Sequence, residues 1–228
     1  MADLITGLRA EDVRSNLARV RSEIAAASAA VGREPDEVEI LAAVKYVPAA
    51  ELGVLASAGI ELLGENRAQD LAAKAQEHAG RFTWDFIGHL QSRKVRQVLP
   101  YVRYVHSVAS DSVLAQLARH GAPDTEVLVE VNVAGEAGKT GIAPAELAAF
   151  LERCPARVVG LMTMPPLTSD PEASRPYFAA LRDLAERAGL PHLSMGTSQD
   201  YEVAVQEGAT IVRLGTILYA PREGAIAS

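Results

Sequence analysis

The chain contains a single cysteine, Cys154, among 228 residues. That excludes an internal disulfide framework and fits a reducing compartment. Cys154 precedes Pro155 at the end of a helical pattern, where it reads as structural. No apolar run is long enough to span a bilayer, so no membrane partner is expected. The opening residues Met1-Ala2-Asp3-Leu4-Ile5 lack a basic stretch followed by an apolar core; no secretory signal and a cytoplasmic location are expected. Basic residues are in deficit, 22 against 29 acidic for a net charge of −7, and only Arg93, Lys94 and Arg96 group together. Nucleic acid is therefore not expected as a partner, because phosphate backbones need a concentrated basic surface. Low-complexity tracts are absent. Lysine is scarce too: Lys45, Lys74, Lys94 and Lys139 are the only four among the 22 basic residues.

What is present is a composition 49% hydrophobic, enough for a large core. Val13, Leu17, Val20, Ile24 and Val31 recur at helical spacing and predict an outer helix over Ala10 to Val31. Strand-like runs follow at Val38–Lys45, Ile60–Gly64, Thr83–Gly88, Arg103–Val108, Thr125–Val133, Arg157–Met164, His192–Gly196 and Thr210–Leu214. Helical patterns begin between them near Pro48, Asn66, Ser92, Asp111, Pro144, Pro171 and Gln199. Strict alternation implies parallel strands with right-handed crossovers, and runs such as Val127-Leu128-Val129 suit strands covered on both faces. Eight such units predict an α/β fold, a single (β/α)8 TIM-type barrel over residues 1–228 with an extra N-terminal helix; a doubly wound open sheet is the runner-up. The tail after Tyr219 is too short for another domain. With no conspicuous exposed apolar patch in the pattern, a monomer is expected.

The first strand run stops on Lys45. Taken alone, that lysine reads as a strand-end side chain reaching for water. Held against apolar neighbours, its ammonium would lose hydration and become available as a nucleophile or Schiff-base former. The segments after the seventh and eighth strands change the balance, because barrels of this kind commonly hold phosphate there. They read Ser194-Met195-Gly196-Thr197-Ser198-Gln199-Asp200 and Arg213-Leu214-Gly215-Thr216. Gly196 and Gly215 permit close backbone approach, Ser194, Thr197, Ser198 and Thr216 bring hydroxyls, and helix starts add positive potential. Each loop by itself could be ordinary helix capping and turning. Together with Lys45 they point to one ligand bearing an aldehyde and a phosphate. Pyridoxal phosphate fits, as does a phosphosugar in a Schiff-base aldolase.

From about Val38 to Ala220 the chain resembles the YggS/PROSC family of pyridoxal phosphate homeostasis proteins, which adopt the fold of the N-terminal barrel of alanine racemase. The resemblance is carried by Ala43-Val44-Lys45, Gly64-Glu65-Asn66, Phe86-Ile87-Gly88-His89-Leu90-Gln91-Ser92-Arg93-Lys94, Lys139-Thr140-Gly141, Gly160-Leu161-Met162 and the two loops just quoted. It implies that Lys45 holds the cofactor pyridoxal 5'-phosphate as an internal aldimine. It further implies that Gly196, Thr197, Ser198, Gly215 and Thr216 hold its phosphate, and that Arg213 faces the pyridine nitrogen. An arginine cannot accept that ring proton, so the ring would be a poor electron sink. Val44 and Arg93 depart from the family pattern, which often has a hydroxyl residue and an asparagine there.

Asn66 could contact the cofactor or cap the helix it begins, and Glu65 reads as a structural ion pair. His89, His106 and His192 follow or open strands, but no carboxylate or cysteine accompanies them at ligand spacing, so no metal site is expected. Lys139 reads as a solvated loop lysine. Met162 and Met164 are expected to line the barrel end, Met164 near the position where racemases pack a histidine on the cofactor ring. Alanine racemase sets a tyrosine from a second, β-rich domain opposite the lysine, and no such domain is expected in the few residues after Leu218-Tyr219-Ala220-Pro221. The expected function is therefore cofactor storage, buffering or delivery, possible recipients being apo-enzymes that use the same cofactor, rather than turnover. The rivals are a single-domain racemase using Lys45 and Tyr46, a phosphosugar aldolase, and a regulatory module acting through a protein partner.

Overall fold

A computed structural model describes residues 4–221. The readings of Met1-Ala2-Asp3 and of the tail beyond Pro221 lie outside the described residues. Eight strands close into one parallel barrel in chain order: β1 Glu39–Ala43, β2 Leu62–Glu65, β3 Thr83–Phe86, β4 Tyr104–Val108, β5 Glu126–Glu130, β6 Arg157–Met162, β7 His192–Ser194 and β8 Ile211–Leu214. β1 pairs β8 in parallel from Glu39 opposite Ile211 to Ala42 opposite Leu214, which completes the ring and rejects the open sheet. The described helices are α1 Ala10–Ala29, α2 Leu52–Ser57, α3 Ala68–Glu77, α4 Val95–Val98, α5 Asp111–His120, α6 Leu147–Arg153, α7 Arg175–Ala188, α8 Tyr201–Gln206 and α9 Thr216–Tyr219. Among the described residues no helix is long and apolar enough to cross a membrane.

The period-two alternation of the strands divides the side chains between two environments. In β3, Trp84 and Phe86 join the large core under the helices, while Asp85 points inward. In β8 the outward residues are Val212 and Leu214, and the inward ones Ile211 and Arg213. Inside the barrel, Leu41, Tyr104, Leu128, Val159, Met162 and Ile211 form a small apolar layer. Above and beside it the interior is polar.

α1 buries Val13, Leu17, Val20, Ile24 and Ala27, a stripe repeating at four and three residues. Asn16 Nδ2 donates to the carbonyls of Leu218 and Ala220, and Arg33 donates to those of Val205 and Ala209, so the extra helix is tied to the last two units of the barrel. Several expected boundaries shift by a few residues, and two of these corrections change where a side chain lies. α1 ends at Ala29, and Val31, expected on its core stripe, is 46% exposed. The turn at Gly32, where φ is 71°, ends the helix before Val31 can face inward. Likewise β1 stops at Ala43, so Lys45 lies in the turn beyond the strand.

Candidate functional site

The strand ends open onto a cavity of about 500 Å³ whose wall includes Lys45, Asn66, Met164, Thr197, Ser198, Arg213, Gly215 and Thr216. Eight of the ten residues singled out from the sequence thus meet in one place.

Lys45 sits on the rim. The turn that carries it is closed by the Val47 N–H donating to the Val44 carbonyl at 3.0 Å. The same carbonyl accepts from Lys74 Nζ at 2.7 Å, and Lys74 also donates to Glu65 Oε2 at 2.5 Å. Both partners of that ion pair are buried, and Glu65 Oε1 accepts from the N–H groups of Asn66 and Arg67. Glu65 is therefore the structural ion pair expected of it, and it holds the backbone next to Lys45. The expectation that apolar neighbours strip water from Lys45 is corrected: the side chain is exposed, because the strand ends two residues before it, and Nζ stands 4.9 Å from the Tyr46 ring centroid. Ile5 donates its N–H to the Tyr46 carbonyl at 2.8 Å, bringing the segment before α1 to the rim.

Asn66 does not cap α3, whose N-cap position is Arg67 and has no side-chain cap. Its Oδ1 is instead buried without a hydrogen-bond partner, beside the cavity. An orphaned amide oxygen of this kind normally finds a donor.

The loops after β7 and β8 are joined to each other, the Gly215 N–H donating to Ser198 Oγ at 3.3 Å. Thr197 donates from both its N–H and its hydroxyl to Asp200 Oδ1. Among the described residues, the N–H groups of Ser198, Gln199, Thr216 and Ile217 donate to no backbone carbonyl. A Cβ at Gly215 would meet nothing nearer than Ala43 O at 3.8 Å, so protein packing leaves space on that wall. Gly196 is different. Its φ is 92°, and a Cβ there would stand 2.6 Å from the Ala204 side chain, so it serves the approach of α8 and does not line the cavity.

Arg213 forms the floor. Nη1 donates to Ser194 Oγ at 2.6 Å and Nη2 to the Thr163 carbonyl at 2.9 Å. Burial brings the guanidinium down to about 10, which leaves it charged at neutral pH; Asp200 and Glu130 pull the other way without touching it. Ser194 is fully buried behind Arg213 and off the cavity wall. Its Oγ also lies 2.8 Å from His106 Nδ1, and His106 Nε2 lies 3.1 Å from Asp85 Oδ2. Arg103 closes the chain with Nη2 on Asp85 Oδ2 at 2.8 Å and Nη1 on Glu39 at 2.7 Å. His106 is thus a hydrogen-bonded interior residue, and no metal-holding group of three ligands occurs among the described residues. The sequence reading missed Asp85 as part of the site; an aspartate in the inward register of the apolar run Trp84-Asp85-Phe86 was the available signal.

Met164 lies at the barrel end as expected and is 53% exposed, whereas Met162 is buried in the inner layer. Lys139 is an exposed loop lysine paired with Glu136, on an adjoining cavity of about 370 Å³. Chemically, the main cavity offers an amine on its rim, an unpaired cation on its floor, and hydroxyls with free N–H groups to one side. That set suits a planar ligand with an electrophilic carbon and an anionic group.

The fold and this arrangement define the class: closed eight-stranded (β/α)8 barrels with a lysine just after the first strand and a cavity at the strand ends. The chain is similar to alanine racemase from Corynebacterium glutamicum at 12% identity and TM-score 0.69, covering 97% of this chain and 63% of that one, a likeness of fold alone. No protein-family model matches it. It is 40% identical over 227 residues to the pyridoxal phosphate homeostasis protein of Pseudomonas aeruginosa, covering 95% of this chain and 99% of that one. A solved structure of PipY from Synechococcus elongatus, with PLP bound, is 30% identical with TM-score 0.76 over 91% of this chain and 100% of that one. The chain belongs to the pyridoxal phosphate homeostasis protein family.

Proposed function

We propose that the chain binds pyridoxal 5'-phosphate and serves cofactor homeostasis by storing, buffering or delivering it. The observation that carries this reading is the convergence of Lys45, Arg213 and the linked β7 and β8 loops on one cavity. The residues present fit the group. Lys45 would hold its aldehyde carbon covalently, the hydroxyls of Ser198 and Thr216 and the neighbouring free N–H groups would take its phosphate, and Gly215 leaves room for it. The orphaned Asn66 Oδ1 would accept from the ligand's donor side. Bound pyridoxal phosphate supplies an electron-accepting ring and a reactive carbonyl.

Arg213 is a donor only, so the ring nitrogen it faces would stay unprotonated and the ring would accept electrons poorly. This disfavours decarboxylase or transaminase chemistry, and the names of the family's members support a holding role. The protein would work in the cytoplasm as a monomer, with apo-enzymes as recipients. Among the described residues the exposed large apolar side chains are Leu4, Val31, Met164 and Leu167, and of these only the last two share a loop.

The test is titration with pyridoxal phosphate followed by mixing with an apo-enzyme. The expected outcome is a visible absorption band that appears in the wild type, is absent in Lys45→Ala, and decays as the apo-enzyme regains activity. A protein that takes up no cofactor would sink the reading. Racemisation of an enantiopure amino acid by the loaded protein, lost in Lys45→Ala, would replace it with the racemase alternative.

A further inference from the structure

Five side chains form one continuous hydrogen-bonded chain along the barrel axis, from the partly exposed Arg103 near the N-terminal strand ends, through the buried Asp85, His106 and Ser194, to Arg213 on the cavity floor. β4 and β7, which supply His106 and Ser194, are not neighbours in the sheet, so this contact exists only across the interior.

The direction of every hydrogen follows from what each group can donate. Arg213 has no acceptor, so Ser194 Oγ must accept from Nη1 at 2.6 Å. Ser194 has one hydrogen, and the ring nitrogen 2.8 Å away is His106 Nδ1. With Arg213 already donating to Oγ, that hydrogen is best directed at Nδ1, which is then bare. On the other side His106 Nε2 faces the Asp85 carboxylate at 3.1 Å and must carry the ring proton. The opposite tautomer would aim two donors at Ser194, leave its own hydrogen without a partner in a fully buried place, and set a bare Nε2 against a carboxylate oxygen. Asp85 does not need a second proton on the ring. Its Oδ1 accepts from Arg103 Nε and the Tyr104 N–H, and its Oδ2 from Arg103 Nη2. Its charge is thus balanced at the far end of the chain, away from the cavity.

We propose that Asp85 and His106 are positioning residues for Arg213, holding His106 as the neutral Nε2–H tautomer so that the guanidinium meets the cavity oriented yet unpaired. Two neutral groups, the imidazole and the serine, stand between Asp85 and Arg213 and keep the carboxylate from neutralising it. The floor therefore presents a fixed cation with donors only. On the reading that the ligand is pyridoxal phosphate, this makes the site select for a ring nitrogen that carries no substituent and no proton.

The experiment is long-range ¹H–¹⁵N spectroscopy of the ligand-free protein, wild type and Asp85→Asn, with circular dichroism to verify folding. The wild type should show His106 with hydrogen on Nε2 and a bare Nδ1, and hindered rotation of the Arg213 guanidinium. In Asp85→Asn the new amide can donate to Nε2, so the tautomer should invert, as it does when the triad aspartate of a serine protease is replaced, and the Arg213 rotation should become faster, although Nη2 keeps its bond to the Thr163 carbonyl. Ser194→Ala, which keeps the carboxylate, should free Arg213 without requiring that inversion; it stands in if Asp85→Asn does not fold. In a third arm, wild type should bind pyridoxal phosphate over its N-methyl analogue by roughly tenfold or more, a preference smaller in the variants.

An Nδ1–H or doubly protonated His106 in the wild type would overturn the proposal, as would Arg213 rotation unchanged in the variants. If the wild type binds neither cofactor while both spectroscopic results hold, the cofactor reading fails and the positioning chain stands.

Discussion

The two faces of the barrel sheet are built from the same strands and obey different rules. On the outward face Trp84, Phe86, Val105, Val127, Leu161 and Val212 press against helices, and the contacts are apolar and non-directional. On the inward face a thin layer of six apolar side chains gives way to Asp85, His106, Ser194 and Arg213, which depend on one another through oriented hydrogen bonds. Burial outside is roughly additive, each large side chain giving about 1.5–3 kcal/mol. Polar groups inside are stable only as a satisfied set, since an orphaned buried donor or acceptor costs about 1–3 kcal/mol. The outer face supplies rigidity, and the inner face uses it to hold a cation in place.

That contrast can be broken most forcefully from outside. Phe178 in α7 is fully buried in the outer core, and Phe178→Ala should cost about 3–5 kcal/mol of stability. Urea unfolding would read it. Cofactor stoichiometry per folded molecule should be unchanged; loss of binding at low denaturant would mean that the two faces are not separable.

A smaller effect sharpens the inner side. Burial lowers His106 below its ordinary 6.5, against the opposing pull of Asp85. The unfolded chain therefore binds that proton more readily, and stability should fall as pH drops below about 6.5 until the folded value is reached. For Asp85, burial would raise the carboxyl, but His106 and Arg103 outweigh it and hold it below 3.8. Its contribution is present above 3.8 and is lost as pH falls through the lower folded value. Urea midpoints between pH 8 and 5 should decline in the wild type and decline less in His106→Phe. Parallel curves would contradict the assignment.

The smallest effect lies outside both faces. Arg153 and Asp111 form an exposed pair at 3.1 Å, and Arg153→Ala should change stability by less than about 1 kcal/mol, with no effect on ligand binding.

Most of the barrel was legible in the sequence because apolar runs of strand length alternate with helical periods, and alternation fixes which residues share a face. Strand ends were less legible. Nothing local distinguishes Val44 as the first residue past β1, and that shift is what leaves Lys45 exposed. The phosphate-type loops could be found because small and hydroxyl residues cluster in them. Ser194 and Gly196 belong to those clusters but face the interior and α8 respectively, a distinction set by the packing of α8. The Asp85–His106–Ser194 chain could not be assembled from sequence, because its last link joins residues 88 apart on strands that never pair. Each lies on the inner face of its own strand, and only barrel closure brings them together.

The chain's four lysines give the most direct test of where the ligand attaches. Lys45 stands on the cavity rim, Lys74 is buried against Glu65, and Lys94 and Lys139 lie off the cavity wall. Borohydride reduction of the loaded protein, followed by peptide mass mapping, should place one pyridoxyl group per chain on Lys45 and none on the other three. A label spread over Lys94 and Lys139, or no label at all, would contradict the account.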